Sequence, residues 1–391
     1  MIRVGLITTL GTNIGDDFIR EGICRVVRRV FDGQKVRFVP VNKHRPLTAY
    51  PGWHPARLAA LARRLPRGRA AASRLVGRMA SPLGRSVLDG CRLIVQCGAP
   101  VFWPGCHRCE WAGPLWRDVV GRLHARVPVL NLAAGSCYPW QSQPDEITDG
   151  NDARFLRSIL GWCRLTTVRD ALAQRLCAHL GARVPMIPCA ALLAAGAAQR
   201  ADGGGARVLM NFMDGGGHYE WGQGIDPAEW TGTARALVGR LKAWHSVAFL
   251  CHDKAEFDRA GELDPELPRV WPKTVEEYFR LCSGAGAAVC NRMHAAVGLA
   301  GMGIPSVAVG TDTRLLMVDA LGLPCFYVTK TNVELLEDAV EGLLSARESE
   351  RDRLLALRSE TWDRYVEAVS GEVLEPVQCE SAACLQDARR P

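Results

Sequence analysis

Arg292 and His294 stand one residue apart, after the apolar run Ala287–Cys290 and before the small-residue stretch Ala295–Ala300. The pattern predicts a buried strand, a polar tip and a helix that starts at the tip. A guanidinium grips an oxyanion through two parallel hydrogen bonds. A helix start adds free N–H groups and a positive dipole end. An imidazole moves protons near neutral pH. Together they suit a phosphorylated substrate undergoing acid–base chemistry.

Other chemistry-bearing residues also follow apolar runs. Thr166-Thr167-Val168-Arg169-Asp170 leaves Arg169 at a strand tip, with Asp170 placed to cap a helix over Ala171–Leu180. The loop Gly11-Thr12-Asn13-Ile14-Gly15-Asp16-Asp17 offers Asn13 and Asp16 for hydroxyl recognition, and Gly15 for close backbone approach. Asp16 or Asp17 is placed to cap the helix that follows. The loop matches neither the dinucleotide nor the Walker fingerprint. His218, in Met213–His218, and His252, in Phe249–Asp253, each follow a strand, a place where histidine also serves as a plain hydrogen bonder. Gly98-Ala99-Pro100 and Ala133–Tyr138 read as small-residue turns where a ligand could approach.

Strands must present these tips. Candidates are Arg3–Thr8, Val36–Val41, Leu93–Cys97, Val127–Leu132, Leu165–Val168, Val184–Ile187, Arg207–Phe212, Ser246–Cys251, Ala287–Cys290, Ser306–Val309 and Cys325–Val328, with helical patterns between most of them. Such alternation predicts an α/β protein with parallel sheets covered on both faces. Ligands of such sheets bind beyond the carboxyl ends of the strands. The glycine run 203–205 divides two halves: an N-terminal Rossmann-like domain, 1–200, and a C-terminal one, 207–345. Residues 346–370 are expected to form a helix returning to the first domain, and 371–391 an irregular tail.

The chain has 391 residues, 48% apolar and 23% charged, with a net charge of +7. These proportions suit a globular protein of two cored domains. No apolar run reaches a membrane span, and the N-terminus reads as a first strand, not an export signal. The expectation is a cytoplasmic protein whose 15 scattered cysteines are reduced. Cys106 and Cys109 lack a second Cys-x-x-Cys, so no metal is assigned. Between 41 and 90 stand ten Lys and Arg against one acid, Asp89. This basic insertion is read either as a solvated face or as a patch for an anionic acceptor or the inner membrane surface. No nucleic-acid motif accompanies the charge, so no nucleic-acid partner is expected.

The chain resembles the polysaccharide pyruvyl transferase family. The resemblance rests on Asn13-Ile14-Gly15-Asp16, Thr167-Val168-Arg169-Asp170, the His252 strand end, Arg292-Met293-His294, Gly303-Ile304-Pro305-Ser306 and Leu321-Gly322-Leu323-Pro324. It departs where the family has a Gly-rich run, here Gly98-Ala99-Pro100, and in the Cys106–Cys109 and 41–90 segments. The resemblance implies a GT-B-like fold, two Rossmann-like domains facing across a cleft. It implies phosphoenolpyruvate as donor, with no cofactor, and a sugar, glycan or lipid-linked saccharide as acceptor. The product would be a cyclic pyruvate ketal, with phosphate released. Arg169, Arg292 and His294 would hold the donor, with the acceptor on the N-terminal side. His294 is the first candidate for proton transfer. Asp16 and His252 are alternative bases, and Asn13, Gly15 and His218 candidate binding residues. The alternatives are a GT-B glycosyltransferase using a nucleotide sugar, sialyltransferase-like, and a non-catalytic binding protein on a degenerate enzyme fold.

Overall fold

The computed structural model describes residues 1–54, 57, 85–98, 100–196, 207–219 and 222–374. In the first domain the strands are β1 (Ile2–Thr8), β2 (Val36–Asn42), β3 (Leu93–Cys97), β4 (Pro100–Phe102), β5 (Val129–Ser136) and β6 (Leu165–Val168). They form one sheet in the order β2-β1-β3-β5-β4, with β6 also on β5, and every pair is parallel. Its main helices are α1 (Ile14–Val30), α2 (Gly150–Trp162) and α3 (Ala171–His179). β3 and β5 are buried along their whole length. Covering both faces of the sheet is what lets these sequences run apolar without alternation.

The second domain holds β7 (Arg207–Asn211), β8 (Ser246–Leu250), β9 (Arg269–Val270), β10 (Ala285–Cys290), β11 (Ser306–Gly310) and β12 (Cys325–Tyr327). The order is β12-β11-β10-β7-β8-β9, again all parallel. Its helices are α4 (Pro227–Leu241), α5 (Lys254–Leu263), α6 (Val275–Cys282), α7 (Met293–Ala300) and α8 (Val333–Ser345). This is the doubly wound order, with its switch point between β7 and β10. In the first domain the winding reverses between β1 and β3. The architecture is therefore two Rossmann-like α/β domains in the GT-B arrangement.

One apolar cluster runs through both domains and holds them together. Phe18 of α1 packs edge-on to Tyr278 at 4.7 Å between ring centres and beside Phe279 at 5.1 Å, both in α6. Gly298 of α7 leaves room for that contact: a Cβ there would come within 3.0 Å of Phe18. A last helix, α9 (Arg347–Leu374), crosses back to the first domain. Its Tyr365, fully buried, donates to the Pro188 carbonyl at 3.1 Å. Its Arg358 donates to the carbonyls of Ala195 and Gly301, one from each domain.

Three local expectations are corrected. Ala133–Ser136 is not a turn but the continuation of β5, bulged at Ala133 (φ 56°), where the register with β6 shifts. Its small side chains let β4 and Arg169 approach. Val184–Ile187 is not a strand and makes one bridge, Val168 to Met186, because Pro185 and Pro188 lack the N–H a ladder needs. α9 continues to Leu374, past the expected start of the irregular tail at 371. The 203–205 linker, residues 58–84 of the basic insertion and residues 375–391 lie outside the described residues. Among the described residues, no helix is long and apolar enough to cross a membrane.

Candidate active site

A cavity of about 280 Å³ lies between the two sets of strand ends. From the first domain it is lined by residues following β1, β2, β4 and β6, and from the second by those following β7, β8, β10 and β11. Asn13, Asp16, Arg169, His218, His252, Arg292 and His294, seven of the eight residues singled out from the sequence, line it.

Arg169 is 1% exposed, although it carries a full charge. Its Nη1 donates to His294 Nε2 at 3.1 Å, a contact from one domain to the other. Its Nη2 is buried with no hydrogen-bond partner. A guanidinium only donates, so His294 Nε2 must be the accepting nitrogen and Nδ1 carries the proton. Burial holds the His294 imidazole well below its ordinary pKa, reinforced by Arg169, Arg314, His252 and Arg292. Both the contact and the direction of the shift describe a neutral imidazole. Gly135 makes the arrangement feasible: a Cβ there would run into Arg169 Nε. Asp170 caps α3, accepting from Ala173 N and Ser136 N at 2.8 Å each, and so pins the strand end that carries Arg169.

Arg292 is less available than its position in the sequence implies. Its Nε donates to Glu256 at 2.5 Å and its Nη2 to Asp253 at 2.9 Å, leaving Nη1 outside these bonds. Glu256 is buried, which raises its carboxyl above the usual range against the pull of Arg292. It also accepts from Asn211 at 2.8 Å and from the His252 amide at 2.7 Å. Asn211, at the end of β7, in turn accepts the Arg292 amide. The switch point of the second sheet is thus a polar network that fixes the start of α7.

His252 is 3% exposed and shares a hydrogen bond of 3.2 Å with the Tyr278 hydroxyl, while its Nδ1 has no partner. Burial, then the Arg292 charge, holds it well below its ordinary pKa. His218 is exposed at the cavity rim beside Tyr219. The surrounding wall, then the Arg292 and Arg314 charges, push it down to about 4. Asn13, not Asp16 or Asp17, caps α1: its side-chain oxygen accepts from Gly15 N at 2.9 Å. Its amide nitrogen donates to Asp16 at 2.8 Å, so the two residues occupy each other. Asp17 instead pairs with Arg20 along the helix. Gly15 is a docking point between domains, where a Cβ would come within 2.9 Å of His294 Cβ.

Several lining residues were not singled out from the sequence. Arg314 is held by Asp312 through two bonds of 2.8 and 2.6 Å and lies over the Tyr219 ring at 4.8 Å. It follows β11 directly, so the strand-end rule, carried one strand further, finds it. Lys43, counted with the surface charges of 41–90, is buried at the end of β2, with Nζ 4.9 Å from the centre of the Trp111 ring. Burial lowers its ammonium pKa, opposed by Asp16. Trp111, at the entry of a π-helical segment (Ala112–Val120), and Trp103 complete the first-domain wall, and no sequence signal marked them.

The Cys106–Cys109 segment lies elsewhere. Asp152 secures it, accepting from Gly105 N at 2.7 Å, His107 N at 3.0 Å, His107 Nδ1 at 2.5 Å and Cys106 Sγ at 3.3 Å. The described cysteines are all free.

Solved structures share the architecture. A putative UDP-N-acetylglucosamine 2-epimerase from Listeria monocytogenes aligns with a TM-score of 0.55 at 11% identity, over 96% of this chain and 97% of that one. The UDP-GlcNAc 2-epimerase from Neisseria meningitidis, bound to UDP-GlcNAc, gives 0.50 at 8%, over 94% and 99%. The trehalose 6-phosphate synthase from Burkholderia multivorans gives 0.50 at 12%, over 100% and 99%. At these identities the likeness concerns the fold alone. No protein of curated function matches the sequence. The sequence model of polysaccharide pyruvyl transferases matches residues 13–313, from the asparagine that caps α1 to the loop after β11. That span takes in most of the lining of both walls of the cavity and the Arg169–His294 contact that joins them, and the chain belongs to the polysaccharide pyruvyl transferase family, a family of transferases.

Proposed function

We propose that this protein moves the pyruvyl group of phosphoenolpyruvate onto two hydroxyls of a sugar, glycan or lipid-linked saccharide, forming a cyclic ketal and releasing phosphate. The reading is carried by one observation. Arg169 is fully buried at the cavity with an unpartnered guanidinium nitrogen, and it contacts a neutral His294. Such a group is set to receive an oxyanion. Phosphoenolpyruvate carries two anionic groups on one carbon, and Arg169, Arg314 and Arg292 all line the cavity that would receive it. Orienting the donor in this way removes several kcal/mol from the barrier.

On this reading the Arg169–His294 contact times the proton transfer. His294 Nε2 is occupied by Arg169, and burial, reinforced by the surrounding cations, keeps the ring neutral. An anion bound by Arg169 draws the guanidinium away and offsets the positive field. Nε2 then gains a proton, and His294 becomes the acid that protonates the methylene carbon of the donor. Asp16 and His252 are less suited to act as bases, because Asn13 occupies an oxygen of the first, while burial and the Arg292 charge hold the second well below its ordinary pKa. Tryptophans suit the apolar face of a sugar ring, which puts the acceptor on the wall of Trp103 and Trp111. The donor places the reaction in the cytoplasm, and the reading calls on no metal or cofactor. Contact of 41–90 with a membrane rests on its charge alone.

Thermal melting with phosphoenolpyruvate, UDP and CMP tests the reading. A rise with phosphoenolpyruvate alone supports it. A rise with a nucleotide and none with phosphoenolpyruvate replaces it with nucleotide-sugar glycosyl transfer.

A further inference from the structure

The first-domain wall carries a histidine of a different kind. His44 follows β2 and lines the cavity, with 39% of its side chain exposed. Its Nδ1 lies 2.6 Å from Oε1 of Glu110, which stands behind it and does not line the cavity. Trp111 meets the imidazole edge-on at 5.4 Å, and Trp103 lies 5.4 Å beyond Trp111. The backbone is fixed too: Asn42 accepts the His44 amide at 3.0 Å and donates to the Leu10 carbonyl at 3.1 Å. Partial burial works against the charge on Glu110, but the bond from His44, a backbone N–H and the charges of His44 and Lys43 together hold the carboxyl below its usual range.

A general base for a sugar hydroxyl needs a lone pair facing the substrate and a group that stabilises the proton it takes. Among the described residues, four histidines line the cavity. His294 meets Arg169, His252 meets Tyr278, and His218 sits in the field of Arg292 and Arg314. Each of these surroundings opposes or fails to support a positive ring. Of the four, His44 has the carboxylate partner. An ionised carboxylate only accepts, so Nδ1 carries the hydrogen, and in the neutral ring Nε2 carries the lone pair. Two other carboxylate–histidine pairs, His107 with Asp152 and His245 with Glu341, lie outside the cavity.

We infer that His44, oriented by Glu110, is the base that deprotonates the acceptor hydroxyl, and that the Trp103–Trp111 wall beside it seats the acceptor sugar. This rests on the pyruvyl-transfer reading. The oxygen of the first hydroxyl bonds to C2 of the donor as its proton passes to His44 Nε2. The C2–C3 electron pair takes a proton from His294, making a methyl group. The second hydroxyl then bonds to C2, and phosphate departs with the electrons of its C–O bond and the proton of that hydroxyl. Solvent returns the proton on His44 to His294. Both hydroxyl hydrogens are accounted for, one in the methyl group and one in hydrogen phosphate.

The test follows phosphate release from phosphoenolpyruvate with methyl β-galactoside, methyl β-glucoside or methyl β-mannoside, in the wild type, His44→Gln and Glu110→Gln. His44→Gln is expected to lose about 10²-fold or more in kcat, the usual range for a lost base. Its melting rise with phosphoenolpyruvate should be kept, which also shows that the variant is folded. Glu110 is a positioning residue, so Glu110→Gln should lose less and should alter the ¹⁵N signature of the His44 tautomer. A His44→Gln rate within threefold of wild type overturns the inference. If none of the three glycosides reacts, the ¹⁵N spectrum decides. A wild-type Nδ1–H tautomer that depends on Glu110 supports the inference, and an Nε2–H tautomer overturns it. A wild type that phosphoenolpyruvate does not stabilise removes the pyruvyl reading itself, and the inference with it.

Discussion

Replacing Arg169 by Met separates what the buried guanidinium does for the fold from what it does for the ligand. Methionine keeps much of the length and flexibility of the stem under Gly135. Removing the charge relieves one buried donor without a partner, Nη2, worth about 1–3 kcal/mol. Against this, His294 Nε2 loses its donor, about 1 kcal/mol for a group that water can reach from the cavity. Asp170 loses a favourable charge, while its two backbone N–H bonds remain. These terms nearly cancel, so the ligand-free variant should melt within about 2 kcal/mol of wild type, where breaking a buried ion pair costs about 3–5 kcal/mol. Binding is a different matter. Two charge-assisted bonds at about 1.5–3 kcal/mol each amount to a loss of about 10²- to 10⁴-fold in affinity for phosphoenolpyruvate. At a concentration that gives wild type about 2.7 kcal/mol of stabilisation, the variant should gain at most about 0.4 kcal/mol. Denaturant melts with and without phosphoenolpyruvate, beside calorimetric titration, read both quantities. A dissociation constant within tenfold of wild type would refute the anion role. A loss above about 4 kcal/mol without ligand would show that the guanidinium is a structural partner instead.

Three further perturbations follow from the same geometry. Gly135→Ala puts a methyl group where Arg169 Nε lies, and should weaken phosphoenolpyruvate at least tenfold in a titration while Arg292 and its carboxylates stay in place. Binding should take up a proton, because burial and the neighbouring charges keep His294 neutral when free and an anion that offsets the arginines raises its pKa. Affinity then falls as pH climbs through the raised value. Calorimetry in buffers of different ionisation enthalpy should show less uptake in His294→Gln, and equal uptake in both proteins would sink the timing argument. Gly15→Ala sets a Cβ within 2.9 Å of both His294 Cβ and Asn13 Oδ1, so the domains must part or α1 must lose its cap. A cost of about 1–3 kcal/mol is expected in a denaturant melt, the usual range for overpacking.

The sequence by itself determined the frame and most of the reactive tips. Strands buried on both faces read as apolar runs, and the residue after each run is placed by covalent geometry alone. That is why Arg169, His252, Arg292 and His294 were legible, and why Arg314 was within reach of the same rule. What these side chains touch was decided only by tertiary structure. Arg169 and His294 are 125 residues apart and meet because glycines at 15 and 298 let α1 dock closely against the second domain. Arg292 spends two nitrogens on Asp253 and Glu256, and Asn13 spends its carboxamide on a helix cap, pairings that no local pattern announces. Lys43 looked like one more surface charge, because burial depends on what packs over the end of β2, and that cover comes from Trp111. Local periodicity fixes where a side chain leaves the backbone. Its partner, and hence its charge state and its chemistry, depends on segments distant in sequence.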